Sequence, residues 1–476
     1  MADFYTEPFE HQRKEYYHSR DKANFALLWE PGTGKSKPIL DTTAYLSDKD
    51  AVDGSLIIAP NGVHRNWIID QIPAHCDPAV PLKTFLWDTK KAGNKSFQAE
   101  FEEFLKFPQL VVFAINYDAI ITARGYAACE KFLKKRVCIM TCDESHRIKS
   151  PGKQRTKAAT KLGKLAKYRR ILTGTPIATS PFDLFSQFGF LDQGILGYKS
   201  FFVFKQRFGI FETQFNGPRR YLKLVRHKNM DELKALIEKH SSRVTKDVLT
   251  DLPDKLYSKA YYEMSARQAG IYSDLRESYM AELQNGTVLT APHALVRLLR
   301  LQQIVCGYAP SDSHIVAIDD KHNPRIKCLL DTVQDHEDSK ILIWARFVED
   351  IRQISEALPP GSFVTYYGAS SEEERVAALK AFKEDPSVKY FVSNPAVGGE
   401  GLTLTEASVA IFYSNSFKLV ERLQAEDRCH RIGQRNKVLY IDIVCPNTVD
   451  DRIVSALRDK QNIASVVTGD RFKTWI

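Results

Sequence analysis

The segment Trp29–Ser36, WEPGTGKS, follows the apolar stretch Phe25–Trp29 and carries the residue types that hold phosphates. Glycines at 32 and 34 let a backbone curl so that its amides meet an anion at a helix N-terminus. In such a loop Lys35 reaches the β- and γ-phosphates of a nucleoside triphosphate, and Ser36 offers its hydroxyl to Mg²⁺. Pro31, Gly32, Thr33 and Gly34 form the wall. Trp29 stands where the strict G-x-x-x-x-G-K-[ST] pattern has its first glycine, so the plain alternative is a Gly-rich turn before a helix. A second group decides between these readings. Asp143 and Glu144 directly follow the apolar run VCIMTC, which reads as a buried strand. The C-terminal edge of such a strand is where an α/β fold exposes side chains to a ligand. There Asp143 is suited to hold Mg²⁺ through its water shell, and Glu144 to orient and deprotonate an attacking water. A third group, Gln424, Arg428 and Arg431, is spaced i, i+4, i+7, which on a helix is one face.

The elements that must position these groups follow from the hydropathy pattern. The 476 residues are enough for roughly two to four domains. With 43% hydrophobic and 26% charged residues, the composition is that of a globular protein without low-complexity tracts. Short β-branched runs are read as strands at Leu56–Pro60, Leu110–Ala114, Val137–Asp143, Arg170–Thr173, Lys340–Ala345, Phe363–Tyr367, Tyr390–Ser393, Val409–Tyr413 and Val438–Val444. They alternate with helical patterns, which predicts an α/β fold with parallel sheets. The strands fall into two clusters, near 20–190 and 325–460. Residues 195–310 between them read as mainly helical and rich in cations, among them Arg207, Arg219, Arg220, Arg226, His227 and Lys228. Phe201, Phe202, Phe204, Phe208 and Phe211 read as the packed face of one helix. Thr250–Lys255, TDLPDK, reads as a hinge. The expected division is a nucleotide-binding lobe over 1–192 and its helical insertion over 193–250. A second helical insertion comes next over 251–323, and a second lobe with a closing helix over 324–476.

Several classes are disfavoured. No apolar run approaches the roughly 20 residues of a membrane helix, and the N-terminus is charged and aromatic, unlike a signal peptide. The eight cysteines form no C-x-x-C pair, which predicts reduced thiols rather than a zinc or disulfide framework. A net charge of +9 tilts the expected partner toward a polyanion. Lys131–Arg136, KFLKKR, reads as a solvated helix face rather than a targeting signal.

DESHRIKSP (Asp143–Pro151) resembles the D-E-A-H box of Swi/Snf-type ATPases, a branch of the superfamily-two helicases. Other segments resemble that family's motifs in order: PFEHQ with Gln12, LIIAPNGVHRNW (Leu56–Trp67), INYD (Ile115–Asp118), and ILTGTPIATSPFDLFSQFGFL (Ile171–Leu191). Later matches are RVTKDVLTDLPDK (Arg243–Lys255), ILIWARF (Ile341–Phe347), GGEGLTLTEA (Gly398–Ala407) and LQAEDRCHRIGQ (Leu423–Gln434). The resemblance implies two RecA-like lobes that use ATP and Mg²⁺. It implies that Gln12 reads adenine, that Gly401 and Gln424 line the nucleotide, and that Arg428 and Arg431 act as arginine fingers on the γ-phosphate. It further implies a grip on the phosphates of double-stranded DNA by His64, Arg65, Asn66, Asn116, Tyr117, Arg346, Thr403 and Thr405, without base reading. Thr403 stands where the family commonly has Asn, and Asn415-Ser416-Phe417 replaces its Trp-Asn-Pro. A motor of this kind is expected to translocate on duplex DNA. Strand separation or branch migration, and a nucleotide-dependent clamp, are the alternatives. The resemblance also implies a monomer without appended domains, cytoplasmic in a prokaryotic or phage-infected cell, and nuclear only in a eukaryote.

Overall fold

The computed structural model describes residues 4–216, 219–248, 252–284, 291–310, 315–318, 323–398, 402–431 and 433–468. The chain is α/β and forms two compact units: of the described residues, the first takes in those to 210, 225–248 and 463–468, and the second takes in 211–224 and those from 252 to 462.

The first unit is organised by a seven-stranded sheet. Its strand order is Leu82–Leu86, Leu110–Asn116, Gly54–Ala59, Cys138–Asp143, Tyr168–Leu172, Asn24–Leu27, Ser241–Ser242. Every pairing is parallel. GSLIIA, LVVFAIN and CIMTCD are buried along their whole length. That is why they read as unbroken apolar runs instead of alternating ones: a parallel sheet covered on both faces has no solvated side. On one flank Phe85, Trp87, Phe97, Phe101, Phe104, Phe113 and Phe132 interlock with ring centroids 5.1–6.4 Å apart. Asn24–Leu27, Cys138–Asp143 and Tyr168–Leu172 lie side by side, and each runs straight into one of the motifs. One edge of the sheet therefore receives them all.

The second unit carries a six-stranded parallel sheet in the order Lys255–Tyr261, Val438–Val444, Ala407–Phe412, Lys340–Trp344, Tyr390–Ser393, Phe363–Tyr366. Buried Arg325 binds it from beneath. Its guanidinium pairs with Asp450 at 2.6 Å and donates to the carbonyls of Tyr413 and Ile443 and to the Tyr262 hydroxyl.

The middle carries the helices Phe201–Phe208, Met230–Glu238, Ala266–Gln284 and Ala291–Val305, as expected, but also β-structure that the sequence reading did not include. After the helix Phe201–Phe208, residues Gly209–Asn216 and Arg219–His227 pair as a separate two-stranded ribbon. Lys255–Tyr261 is an edge strand of the second sheet, and Tyr308–Pro310 pairs with Ile315–Ala317. Alternating IFETQF and RRYLKLVRH favour extended chain once the helix has stopped at Phe208. The aromatic face divides accordingly. Phe204 and Phe208 are buried, whereas Phe202 is 59% exposed and Phe211 lies on the ribbon. The edge strand Leu82–Leu86 is half-polar, and Ser241–Ser242 is two residues long, so neither carries a strand signature in the sequence. Lys131 and Lys134 face solvent on the helix Ala123–Lys135, with Phe132 and Leu133 turned inward. Within Thr250–Lys255, residues 250 and 251 lie outside the described residues, and Lys255 already begins a strand. Among the described residues no helix is long and apolar enough to cross a membrane.

Candidate nucleotide site and nucleic-acid contacts

The phosphate loop leaves the strand Asn24–Leu27 and enters the helix Ser36–Asp48. Gly32 and Gly34 have φ of 84° and 80°, the left-handed region that glycine adopts without strain. A side chain at Gly34 would in addition collide with the Gln12 amide, 2.2 Å from the position of its Cβ. The Lys35 ammonium donates to the Trp29 carbonyl at 3.0 Å, and Ser36 opens the helix. Thr33 is buried and its hydroxyl donates to the Glu30 carbonyl, while the His11 ring lies 2.9 Å from the Thr33 carbonyl. Gln12 is buried. Its amide donates to the Gly34 carbonyl at 2.9 Å and its carbonyl accepts from the Phe9 amide. Its amide nitrogen is thus engaged with the loop, and its carbonyl with the start of its own helix.

The loop is also tied to the segment 240–246, which falls within the expected helical insertion 193–250. The amides of Ala26, Leu28 and Glu30 donate in turn to the carbonyls of His240, Ser242 and Val244. Trp29 Nε1 donates to the Ser242 hydroxyl at 2.8 Å. The Glu30 carboxylate accepts from the Lys246 amide at 2.8 Å and faces Arg243 at 3.7 Å. Pro31 packs on Gly174, where a Cβ would approach within 2.3 Å.

Asp143 ends its strand as the motif predicts. One carboxylate oxygen accepts from Trp67 Nε1 at 2.9 Å, and the other from the Glu144 amide at 2.9 Å. Burial, reinforced by the neighbouring Glu144 charge and opposed by Lys35, pushes its pKa up to about 6. Glu144 sits in the left-handed region at φ 50°, ψ 53°, which costs of order 1–3 kcal/mol for a residue with a Cβ. That conformation turns its carboxylate toward His146 Nδ1, at 3.2 Å, and the Thr173 hydroxyl, at 3.5 Å. Ser145 donates to Gln187, which in turn donates to the carbonyls of Pro176 and Asp183. The DESH turn is therefore fixed to the segment after Leu172. Lys35, Ser36 and Asp143 provide an ammonium, a hydroxyl and a carboxylate on one sheet edge, a donor set that fits Mg²⁺ with a polyphosphate. Trp67 was not singled out from the sequence, although a buried indole N–H needs a partner. Thr173 and His146 were likewise passed over.

In the second unit the helix carrying Gln424 spans Leu419–Glu426 and stops before Arg428, so the single-face helix expected for Gln424, Arg428 and Arg431 is corrected. The arginines converge by another route, since both donate to the Leu402 carbonyl at 3.0 Å. Arg428 and Gln424 are buried. Burial lowers the Arg431 pKa, with Asp427 working against it. Arg422, one turn before Glu426, is fully sequestered between Glu426 and Asp442. Gly401 lies outside the described residues.

The expected DNA contacts divide. Arg65 is exposed and Asn66 half-buried. Arg346 is half-buried, donates to Gln302 and lies over the Phe347 ring. It borders a cavity of about 300 Å³ with Asn394, Ser414 and Lys418. Thr403 and Thr405 are partly exposed. Three residues face inward instead, which corrects their expected place on the DNA track. Tyr117 is buried and donates to the Asp143 carbonyl at 2.7 Å. The Asn116 side-chain Oδ1 accepts from the amides of Asp118 and Ala119 and so holds a turn. His64 is buried against the Pro60 carbonyl.

Two all-parallel sheets, one with a phosphate loop and an acidic pair on a common edge, place the chain in the helicase-like α/β class. Residues 13–308 match the SNF2-related domain and residues 324–433 the helicase conserved C-terminal domain. The chain belongs to the SNF2-related family. It is 24% identical to the TATA-binding protein-associated factor MOT1 of Saccharomyces cerevisiae, an alignment covering 79% of this chain and 24% of that one. It is 25% identical to an uncharacterized ATP-dependent helicase, MG018, of Mycoplasma genitalium, covering 92% and 39%. A third relative is the SWI/SNF-related matrix-associated actin-dependent regulator of chromatin subfamily A-like protein 1 homolog of Caenorhabditis elegans. It is 28% identical, with 76% and 49% covered. The chain thus spans 24% to 49% of the length of these relatives.

Proposed function

We propose that this chain is a DNA-dependent ATPase that hydrolyses ATP to travel along double-stranded DNA, remodelling it or displacing bound proteins. The observation that carries the reading is the meeting of Lys35, Ser36, Asp143 and Glu144 at one sheet edge, in a family whose relatives include proteins named as ATP-dependent helicases. The loop amides and Lys35 hold the β- and γ-phosphates, and Gln12 lies beside the loop where the adenine is read. Ser36 and Asp143 hold Mg²⁺, which, when bound, neutralises charge on the phosphates. Glu144 takes a proton from the attacking water, its carboxylate held by Thr173 and His146. Arg428 and Arg431 neutralise charge that builds on the γ-phosphate, an effect worth about 10³–10⁵ in rate for such arginines. The family resemblance assigns Gln424 and Gly401 to the nucleotide as well. Arg65, Asn66, Arg346, Thr403 and Thr405 grip backbone phosphates without reading bases. The chain acts as a monomer.

The test is ATPase activity measured across duplex, single-stranded and branched DNA and RNA. Duplex DNA is expected to stimulate turnover many-fold. Lys35→Ala and Glu144→Gln are expected to abolish it, with a loss of about 10²–10⁴ for the missing general base. Absence of stimulation by any nucleic acid sinks the motor reading. Triplex displacement without fork unwinding supports translocation, whereas efficient unwinding of forks or four-way junctions supports a strand-separating helicase.

A further inference from the structure

The ribbon formed by Gly209–Asn216 and Arg219–His227 belongs to neither large sheet and has no part in the nucleotide site. Its base is fixed. The Lys228 amide donates to the Phe208 carbonyl, and the Asn229 side chain to the Arg207 carbonyl. Arg207 grips Glu232 with two Nε contacts of 3.0–3.1 Å, and the Tyr198 hydroxyl donates to the same carboxylate. The His227 ring packs against Phe182.

Beyond that base the ribbon is exposed on both faces. Phe215 is 71% exposed, and Tyr221, Leu222 and Val225 are 46–49% exposed. The alternation of a strand sets Arg220, Leu222 and Arg226 on one face and Tyr221, Lys223 and Val225 on the other. Both faces therefore mix cations with apolar groups. Residues 209–228 hold five Lys and Arg, at 219, 220, 223, 226 and 228, against the single carboxylate Glu212. Among the described residues Lys223 and Arg226 form no ion pair. Arg220 and Tyr221 only reach across the ribbon to Thr213 and Gln214. An isolated two-stranded ribbon is marginally stable in water. Leaving large apolar groups on both of its faces gives up still more burial, which a binding partner would recover. The charge selects the partner, because a cationic, arginine-rich strip complements phosphate. The major groove of B-DNA, about 12 Å wide, admits a two-stranded ribbon.

We propose that this ribbon is a DNA-binding element that lies in a groove of the duplex. Arg220, Lys223 and Arg226 contact the flanking phosphates, and Phe215 and Tyr221 lie against the groove. This rests on the proposed duplex-DNA function and adds to it a contact outside the motifs shared with the family.

The experiment measures affinity of the full chain for duplex DNA without nucleotide, from about 50 to 200 mM salt, so that it is independent of ATP turnover. For Arg220→Gln/Arg226→Gln, loss of two phosphate contacts is expected to reduce the slope of log K against log salt by about 2. For Phe215→Ser/Tyr221→Ser, affinity is expected to fall with the slope unchanged, because apolar contacts release no counterions. The substituted side chains are exposed, and a retained thermal unfolding midpoint shows that the fold survives. Wild-type affinity and slope in the arginine variant overturn the phosphate contacts, and wild-type affinity in the aromatic variant overturns the seating in the groove. If the wild-type chain itself binds no duplex, the DNA reading fails and this element with it.

Discussion

Tyr117 links two readings at the scale of single residues. Its position in INYD suggests a DNA contact, yet its hydroxyl is buried and supports the Asp143 backbone. Replacing it with Phe removes one buried hydrogen bond, worth about 1 kcal/mol, at the carbonyl of the proposed metal-holding residue. Tyr117→Phe is therefore expected to lower the folding stability by about 1 kcal/mol and, by loosening the Asp143 backbone, to lower kcat. The salt dependence of DNA binding should stay unchanged, whereas loss of a phosphate contact would reduce its slope by about 1. Steady-state ATPase and a salt titration on one preparation distinguish the two roles. Lys35, Asp143 and Glu144 are legible in the sequence because type and neighbourhood suffice to mark them. Tyr117 and Trp67 are not, because their partner lies 26 and 76 positions away and only the sheet brings them together.

Arg170 plays the corresponding part for whole elements. It lies fully buried on the strand Tyr168–Leu172, and its guanidinium donates to the carbonyls of Ser19, Lys22, Ala23 and Arg169 at 2.7–3.1 Å. Burial pulls its pKa down to about 10, against the charge of Glu15. Through these bonds it stitches the end of the helix Glu10–Ser19, which presents His11 and Gln12 to the phosphate loop, onto the central strands. Arg170→Met removes all four bonds and takes the side-chain donor from the Lys22 carbonyl, while the Ser19 and Ala23 carbonyls keep the backbone amides of Lys22 and Arg169. The expected loss is about 1–3 kcal/mol, seen as a lower urea midpoint with an unchanged m-value. The first Arg of YRRIL reads like any other cation in the sequence, and so does the second. Nothing local reveals which one turns inward. The same limit explains the ribbon: the spacing of Phe201, Phe204 and Phe208 fits a helix, and the helix does form, but Gly209 ends it and β-alternation governs the residues from 210 onward.

For the molecule as a whole, the α/β class and its two parallel sheets were legible because long buried strands need continuous apolar sequence. The edge strands and the β-structure in the middle of the chain were not, since half-exposed or very short strands lack that signature. The proposed nucleotide site predicts a global effect. A non-hydrolysable ATP analogue with Mg²⁺ at about 100 times its Kd should stabilise the fold by about 2.7 kcal/mol. Differential scanning fluorimetry is expected to show the rise for the wild type and none for Lys35→Ala. An equal rise in both would move the nucleotide away from the phosphate loop.

The shared acceptor in the second unit has a kinetic meaning. Arg428 and Arg431 both rest on the carbonyl of Leu402. An acceptor with two lone pairs that serves two donors is still satisfied after one of them departs. If Arg431 swings away, the Leu402 carbonyl still holds Arg428, whereas departure of Arg428 also strips a donor from the Gln424 carbonyl. The pair is therefore asymmetric, with Arg428 moored on the carbonyls of Leu402 and Gln424 and Arg431 on that of Leu402, so that Arg431 can turn toward the proposed γ-phosphate while Arg428 keeps its mooring.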